Sequence, residues 1–369
     1  MGDRLLFLTE RFPPDIGGVA ASAGRIARSL SGMAFEIDVL VWTRYLQPGE
    51  IQQGDRDAVA KGMRLFRLGR YRHWDMTMQR TLTLLNGMHA QHPSRAVWGH
   101  YLSPAGFLAV WFGLSANVPS VVSARGNDID LGAFPPGDFA RLQWTLQRAT
   151  AIAAVSQDMA DKIRAICDRR DVEITKNAVD GETFAPTLAL SERQALRQQL
   201  GIAPDEVVLG FSGELREKKG QDYLFQALSV VRRERPACLL VIGDVRQTRG
   251  QRLATFAQSH PDDAARVVVT GHLPEAIAVA QHLQLCDYFL MPSLWDGLPN
   301  ALLEAMACQL CCIVSDAGGI PEVLTSGKEG FMLPVARVHR FGDAVLECMQ
   351  LTPDRRQQLG EAARLRVLT

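Results

Sequence analysis

The sequence has no excess of either charge. Forty Lys and Arg stand against forty Asp and Glu in 369 residues, for a formal net charge of zero. A nucleic-acid binder normally carries a basic field, so DNA and RNA are not expected partners. No apolar run approaches the ~20 residues of a membrane span, and Met1 to Thr9 lacks the apolar core and cleavage site of a signal peptide. A soluble, cytoplasmic chain is expected, in contact with a membrane only peripherally, at its inner face. Neither a G-x-G-x-x-G fingerprint nor a Walker loop occurs anywhere. The seven cysteines (167, 238, 286, 308, 311, 312, 348) are odd in number and sit mostly in apolar runs, as reduced thiols do. Cys308, Cys311 and Cys312 are close in sequence, but no second Cys or His pair lies near to complete a zinc site, so buried thiols are expected and no metal.

Hydrophobic residues make up 47% of the chain and charged residues 22%, enough apolar material for two cores in a chain of this length. Short apolar runs alternate with longer segments of helical period, the pattern of parallel sheets with crossover helices. Strands are predicted at Arg4 to Thr9, Glu36 to Trp42, Met63 to Arg67, Ala96 to Trp98, Ser120 to Ser123, Ala151 to Val155 and Val172 to Thr175. After Lys176 the chain turns polar and helix-prone up to Pro204. A second series follows: Val207 to Ser212, Cys238 to Ile242, Val267 to Thr270, Tyr288 to Met291 and Cys311 to Ser315. The expected division is a first α/β domain over 1–185, a linker over 186–205, a second α/β domain over 206–350 and a C-terminal helix over 351–369 that crosses back to the first domain. Open α/β sheets bind ligands at their carboxyl edges, so the cleft between two such domains is the default site.

Three turns invite chemistry. Gly17-Gly18 follows the first strand and opens the helix Val19 to Leu30, where backbone N–H groups and the helix dipole favour an anion; a merely tight turn is the alternative. Gly213 to Gly220 carries Arg216, Lys218 and Lys219 before a helix starting near Gln221. Cations there would clamp a diphosphate, doing by fixed charge what magnesium does elsewhere; a solvated charge run is the alternative. Pro292 to Met306 sets Asp296 in a loop and Glu304, eight residues on, in the helix that follows. A carboxylate facing ribose hydroxyls would accept hydrogen bonds from them; ordinary acidic bias at a helix start is the plainer account. Residues 61–80 hold six Lys or Arg (Lys61, Arg64, Arg67, Arg70, Arg72, Arg80) against Asp75, with Tyr71, His73 and Trp74 among them. That is an ordinary solvated surface or a basic aromatic lip for an anionic membrane or a phosphorylated acceptor. The run Phe107 to Leu114 reads as a core helix.

In this order and spacing the motifs resemble the family 4 retaining glycosyltransferases of GT-B fold nearly end to end. They are Gly17-Gly18, Trp98-Gly99-His100, Arg125-Gly126-Asn127-Asp128, Val155-Ser156, Asn177-Ala178-Val179-Asp180, Lys219-Gly220, Gly243-Asp244, Asp296 to Glu304 and Gly318-Gly319-Ile320-Pro321-Glu322. The resemblance implies an α/β protein of two Rossmann-like, doubly wound domains facing each other across a cleft. It implies a nucleotide diphosphate sugar as donor, held by the second domain, an unidentified acceptor held by the first, no cofactor and no obligatory metal. It assigns catalytic work to His100, Lys219, Arg216 and Asp296, and substrate binding to Gly17, Gly18, Arg125, Asn127, Asp128, Gly213, Leu298, Pro299, Asn300 and Glu304. A lone histidine after a strand is otherwise a structural hydrogen-bonding residue, so the role of His100 rests on the resemblance. Departures are Glu214 where the family has arginine, Asp296 where it has glutamate, and Gln309 and Cys311 where it has glycine and proline. They keep open a catalytically silent sugar-nucleotide-binding or scaffold protein, alongside an epimerase or phosphorylase of the same fold. The donor's base and sugar, the acceptor and the oligomeric state are not legible.

Overall fold

The computed structural model describes residues 3–15, 17–54, 60–130, 135–245 and 250–369, the Asn127 side chain excepted. Contacts divide the chain into two compact units, Met1–Lys176 and Asn177–Thr369. The first runs β1 (Arg4–Thr9), α1 (Gly18–Gly32), β2 (Glu36–Thr43), β3 (Ile51–Gln53), β4 (Met63–Gly69), α2 (Trp74–Gln91), β5 (Ala96–His100), α3 (Phe107–Ala116), β6 (Ser120–Ala124), α4 (Asn127–Asp130), α5 (Pro136–Arg148), β7 (Ala151–Ala154), α6 (Gln157–Ile166) and β8 (Val172–Ile174). Its sheet order is β3-β4-β2-β1-β5-β6-β7-β8, with β3 alone antiparallel. The order reverses between β1 and β5, so the first sheet's switch point lies between Thr9 and His100, which are register partners.

The second unit runs α7 (Leu190–Gln199), β9 (Val207–Ser212), α8 (Gln221–Arg232), β10 (Ala237–Ile242), α9 (Gly250–Ser259), α10 (Pro261–Ala264), β11 (Val267–Val269), α11 (Ala276–Leu283), β12 (Tyr288–Met291), α12 (Asn300–Ala307), β13 (Cys311–Ser315), β14 (Gly330–Leu333), α13 (Phe341–Met349) and α14 (Pro353–Leu368). The sheet is parallel in the order β11-β10-β9-β12-β13-β14, with its switch point between β9 and β12. Parallel strands covered on both faces must be apolar throughout, and β10 and β12 are buried at every position. The helix expected at Phe107 to Leu114 is α3, whose Leu108, Val110 and Phe112 are buried while Trp111 and Leu114 are exposed.

Two segments lie elsewhere than expected. Residues from Asn177 onward cluster with the second unit, where the Asn177 amide donates to the Leu298 carbonyl at 2.6 Å. The segment read as a linker holds α7, tied to the second unit by Leu188 N–H to the Gln284 amide oxygen (2.7 Å) and by Arg193 to the Leu285 carbonyl (3.3 Å). The C-terminal helix α14 packs on α12 and β13 of its own unit. Its anchor is Arg364, which donates to the carbonyls of Phe184 (2.8 Å), Gly181 (2.9 Å) and Ala307.

Arg364→Ala strips a charged donor from three carbonyls at once and is expected to cost about 2–4 kcal/mol. Arg364→Lys should recover only part of this, because an ammonium lacks the planar fork. Urea denaturation followed by circular dichroism measures both, and an unshifted midpoint in Arg364→Ala would show that the anchor contributes nothing.

Candidate functional site

At the switch point of the second sheet, two loops cross. β9 ends at Ser212, and Gly213 N–H donates to the Ile242 carbonyl at 2.9 Å. The chain then turns through Glu214, Leu215 and Arg216 into a short helical turn, Glu217–Lys219, before α8. Gly220 holds φ +69°, and a Cβ there would land on the Pro292 carbonyl oxygen, so only glycine lets this turn pass beneath the end of β12. Leu294 N–H closes the crossing by donating to the Lys218 carbonyl at 2.8 Å. A third loop supports the second from the other side. A Cβ on Gly318 (φ +55°) would meet the Asp296 carbonyl, and Gly319 N–H donates to the Gly297 carbonyl at 2.7 Å.

This backbone packing brings together residues 77 apart in sequence: Lys219 is in direct ionic contact with Asp296 Oδ2, and Lys218 Nζ stands 3.9 Å from Oδ1. Burial alone would raise the Asp296 carboxyl, but Lys219 and Lys218 beside it hold it below the ordinary aspartate value. Arg216 is likewise in direct contact with Glu214. The Glu214 side chain is 15% exposed and pairs with Arg216, one of the cations expected to clamp a diphosphate. Beyond Asp296, Leu298 is buried, with its carbonyl held by Asn177, Pro299 caps α12, and the Asn300 side-chain oxygen is buried with no hydrogen-bond partner among the described residues. Glu304 lies in the second turn of α12, close enough to Cys308 to add to the effect of burial, which pushes that thiol up to about 12. All seven cysteines are buried and free, and among the described residues no three His, Cys, Asp or Glu could hold a metal ion. Gln309 sits at φ +61°, the left-handed backbone in which the family's glycine is at ease.

In the first unit, His100 ends β5. It is fully buried, with Nε2 at 3.1 Å from Ser22 Oγ and Nδ1 at 3.3 Å from Thr9 Oγ1. Arg125 Nη2 donates to Ser22 Oγ at 2.7 Å, and Thr9 Oγ1 donates to the Arg11 carbonyl at 3.0 Å. Each hydroxyl has one proton, so the chain runs one way: Arg125 to Ser22, Ser22 to Nε2, and Nδ1–H to Thr9. Burial, reinforced by Arg125, lowers the imidazole well below its ordinary range and keeps it neutral. Both ring nitrogens are occupied, and the ring holds Ser22 and, through it, Arg125. Ser22 carried no sequence signal, being one small residue inside α1. Arg125 also donates from Nη1 to the Thr175 carbonyl at 3.2 Å. Burial lowers its guanidinium; Tyr101 and Asp128 oppose the shift and Arg25 adds to it. Asp128 accepts from the backbone N–H groups of Gly126 (2.8 Å), Leu102 (3.2 Å) and Arg125 (3.2 Å), which shapes the loop and occupies the carboxylate expected to bind substrate. The side chain of Asn127 lies outside the described residues. Gly17 is the N-cap of α1 and Gly18 its first residue. Their loop is held by Arg67, which donates to the Pro13 carbonyl (3.0 Å) and pairs with Asp15 at 3.5 Å. Arg64 chelates Asp38 with two 2.6 Å bonds and Arg70 lies over Trp74, so half of the expected basic lip serves the unit's own structure.

Two doubly wound units in tandem, each with its charged loops at a switch point, are the GT-B architecture. Anabaena HepE in complex with UDP and glucose superposes with a TM-score of 0.78 at 17% identity, over 98% of this chain and 94% of that one. The family described as Glycosyl transferases group 1 matches residues 206–350 and the Glycosyl transferase 4-like domain matches 17–178, and the chain belongs to this group 1, family 4-like set of glycosyltransferases. The D-inositol 3-phosphate glycosyltransferase of Jonesia denitrificans is 28% identical over 51% of this chain, which spans only 46% of that relative's length. The GDP-mannose-dependent alpha-(1-6)-phosphatidylinositol monomannoside mannosyltransferase of Mycobacterium tuberculosis is 26% identical over 98% of this chain and 92% of its own. Among the described residues no helix is long and apolar enough to cross a membrane.

Because His100 is neutral when folded and titrates near 6.5 when unfolded, unfolding takes up a proton below that pH. Its contribution is complete above pH ~6.5 and falls as pH drops below it, by about 1.4 kcal/mol per pH unit at most. His100→Gln should flatten the stability profile between pH 6.5 and 5 in denaturant titrations; identical slopes would show that the imidazole is not held neutral.

Proposed function

We propose that the chain transfers a sugar, with retention of configuration, from a nucleotide diphosphate sugar held by the second unit to an acceptor held by the first, without an obligatory metal. The observation that carries this reading is the crossing of the 213–220 and 292–299 loops, which puts Lys219, Arg216 and the start of α12 at one switch point. A diphosphate placed there meets two cations and the positive end of a helix, and Glu304, one turn further along α12, is the carboxylate that would accept from ribose hydroxyls. Binding of UDP with glucose by a protein of the same fold supports a nucleotide sugar as the ligand class.

In the transfer, the bond between the sugar's anomeric carbon and the diphosphate oxygen breaks and its electron pair leaves with the nucleoside diphosphate. The acceptor hydroxyl oxygen bonds to the anomeric carbon on the same face. Its proton passes to the departing phosphate oxygen, so no protein nucleophile is required. The chain's work is electrostatic: Lys219 and Arg216 stabilise charge that accumulates on the leaving group. On the first unit, Arg125, held by Ser22 and behind it by His100, offers a fixed guanidinium to the acceptor. A basic aromatic face around Arg72 and Trp74 suits an acceptor presented at an anionic membrane surface.

Lys219→Ala is expected to lower turnover ~100- to 1000-fold, the usual cost of losing one preorganised donor at a developing anion, and turnover is expected to persist in EDTA. Initial rates with a panel of UDP-, GDP-, ADP- and TDP-sugars test both, and activity abolished by EDTA and restored by magnesium would sink the fixed-cation account. Glu304→Ala should weaken nucleoside diphosphate binding by roughly 1–3 kcal/mol in calorimetry; unchanged affinity in a folded variant would remove Glu304 from the ribose.

A further inference from the structure

Each cation of the proposed clamp is already matched to a carboxylate. Lys219 touches Asp296 and Arg216 touches Glu214, and the acids' side chains are only 12% and 15% exposed, so neither pair is a screened surface contact. Asp296 is fixed from behind. Gly297 N–H donates to its Oδ1 at 3.1 Å, and its backbone is wedged under Gly318. The lysine, on a flexible four-carbon stem, is the partner that can move.

We propose that Asp296 and Glu214 are resident counter-ions of this site: they occupy its two cations until one anion that spans both displaces them, so a single phosphate gains little while a diphosphate is retained. The proposal rests on the donor reading above and deepens it. An anion that reaches one cation breaks one ion pair and forms one, with little net gain. A diphosphate exchanges two carboxylates for two linked phosphoryl groups, and the second exchange is intramolecular. When Lys219 swings to the ligand, Lys218 stays beside Asp296 and keeps a covered carboxylate from being left uncompensated. The departure at position 214, which reads from sequence as a defect in the clamp, thereby acquires a task.

The test is calorimetric titration of inorganic pyrophosphate and of orthophosphate, without divalent metal, into the full chain and into Glu214→Gln, Asp296→Asn and Lys219→Ala. The probes carry no base or sugar, so a role for Asp296 confined to sugar hydroxyls would leave them unmoved. Each acid substitution should tighten pyrophosphate and orthophosphate by about the same factor, roughly tenfold, the removal of one competing ion pair. Glu214→Gln and Asp296→Asn report independently, so failure of one to fold leaves the other as the test. Binding of both anions that is unchanged or weaker in the folded acid variants overturns the proposal. If Lys219→Ala loses pyrophosphate at the same time, the donor clamp survives that result; if Lys219→Ala binds pyrophosphate like the unaltered chain, the clamp reading falls with the proposal.

Discussion

The passage of the Gly220 turn beneath the Pro292 carbonyl is the constraint from which the rest of the second unit's site follows. It is a contact of backbone with backbone, so no change of rotamer can relieve it, and a side chain at position 220 would have to push two main chains apart. Because the crossing is fixed, the lysine just before Gly220 and the aspartate four residues after Pro292 meet without either being held by a loop of its own. The bond from Leu294 to Lys218 and the wedge of Gly318 against Asp296 repeat the same device on either side. The site is thus three loops locked by main-chain geometry, with the flexible lysine stems left as the moving parts.

The first unit reaches a comparable rigidity through side chains. Arg125, Ser22, His100 and Thr9 form one directed chain of donors across the ends of β1, β5 and α1. The direction is fixed at both ends, by a guanidinium that can only donate and a carbonyl that can only accept, so the arginine is tied to side chains on α1, β5 and β1. The burial that makes the imidazole neutral also withholds it from solvent.

Most strands were legible because a parallel strand covered on both faces has to be a run of apolar residues, as β9 (Val207–Ser212) and β12 (Tyr288–Met291) are. β3 was missed because Ile51–Gln53 holds a single apolar residue, and β14 because Gly330–Leu333 is a short run opened by a glycine. The glycines at 213, 220 and 318 were legible as turns, and Lys219 and Asp296 as charged residues within them. What sequence could not supply was that these charges meet, because the contact depends on how two loops 77 residues apart cross. The same holds for Ser22, whose importance lies wholly in what stands 78 residues away. Gln309 was legible only as a departure; its left-handed backbone shows why a glycine would be the easier residue there.

A further consequence follows from the pairing of the proposed clamp's cations with their own acids in a chain of zero net charge. Such a surface projects little field beyond a Debye length, so an incoming nucleotide is not drawn from a distance. Encounter then proceeds at the rate of undirected diffusion and responds weakly to ionic strength. The charges act only after contact, when the ligand exchanges with the carboxylates, and discrimination therefore resides in how long a bound anion stays.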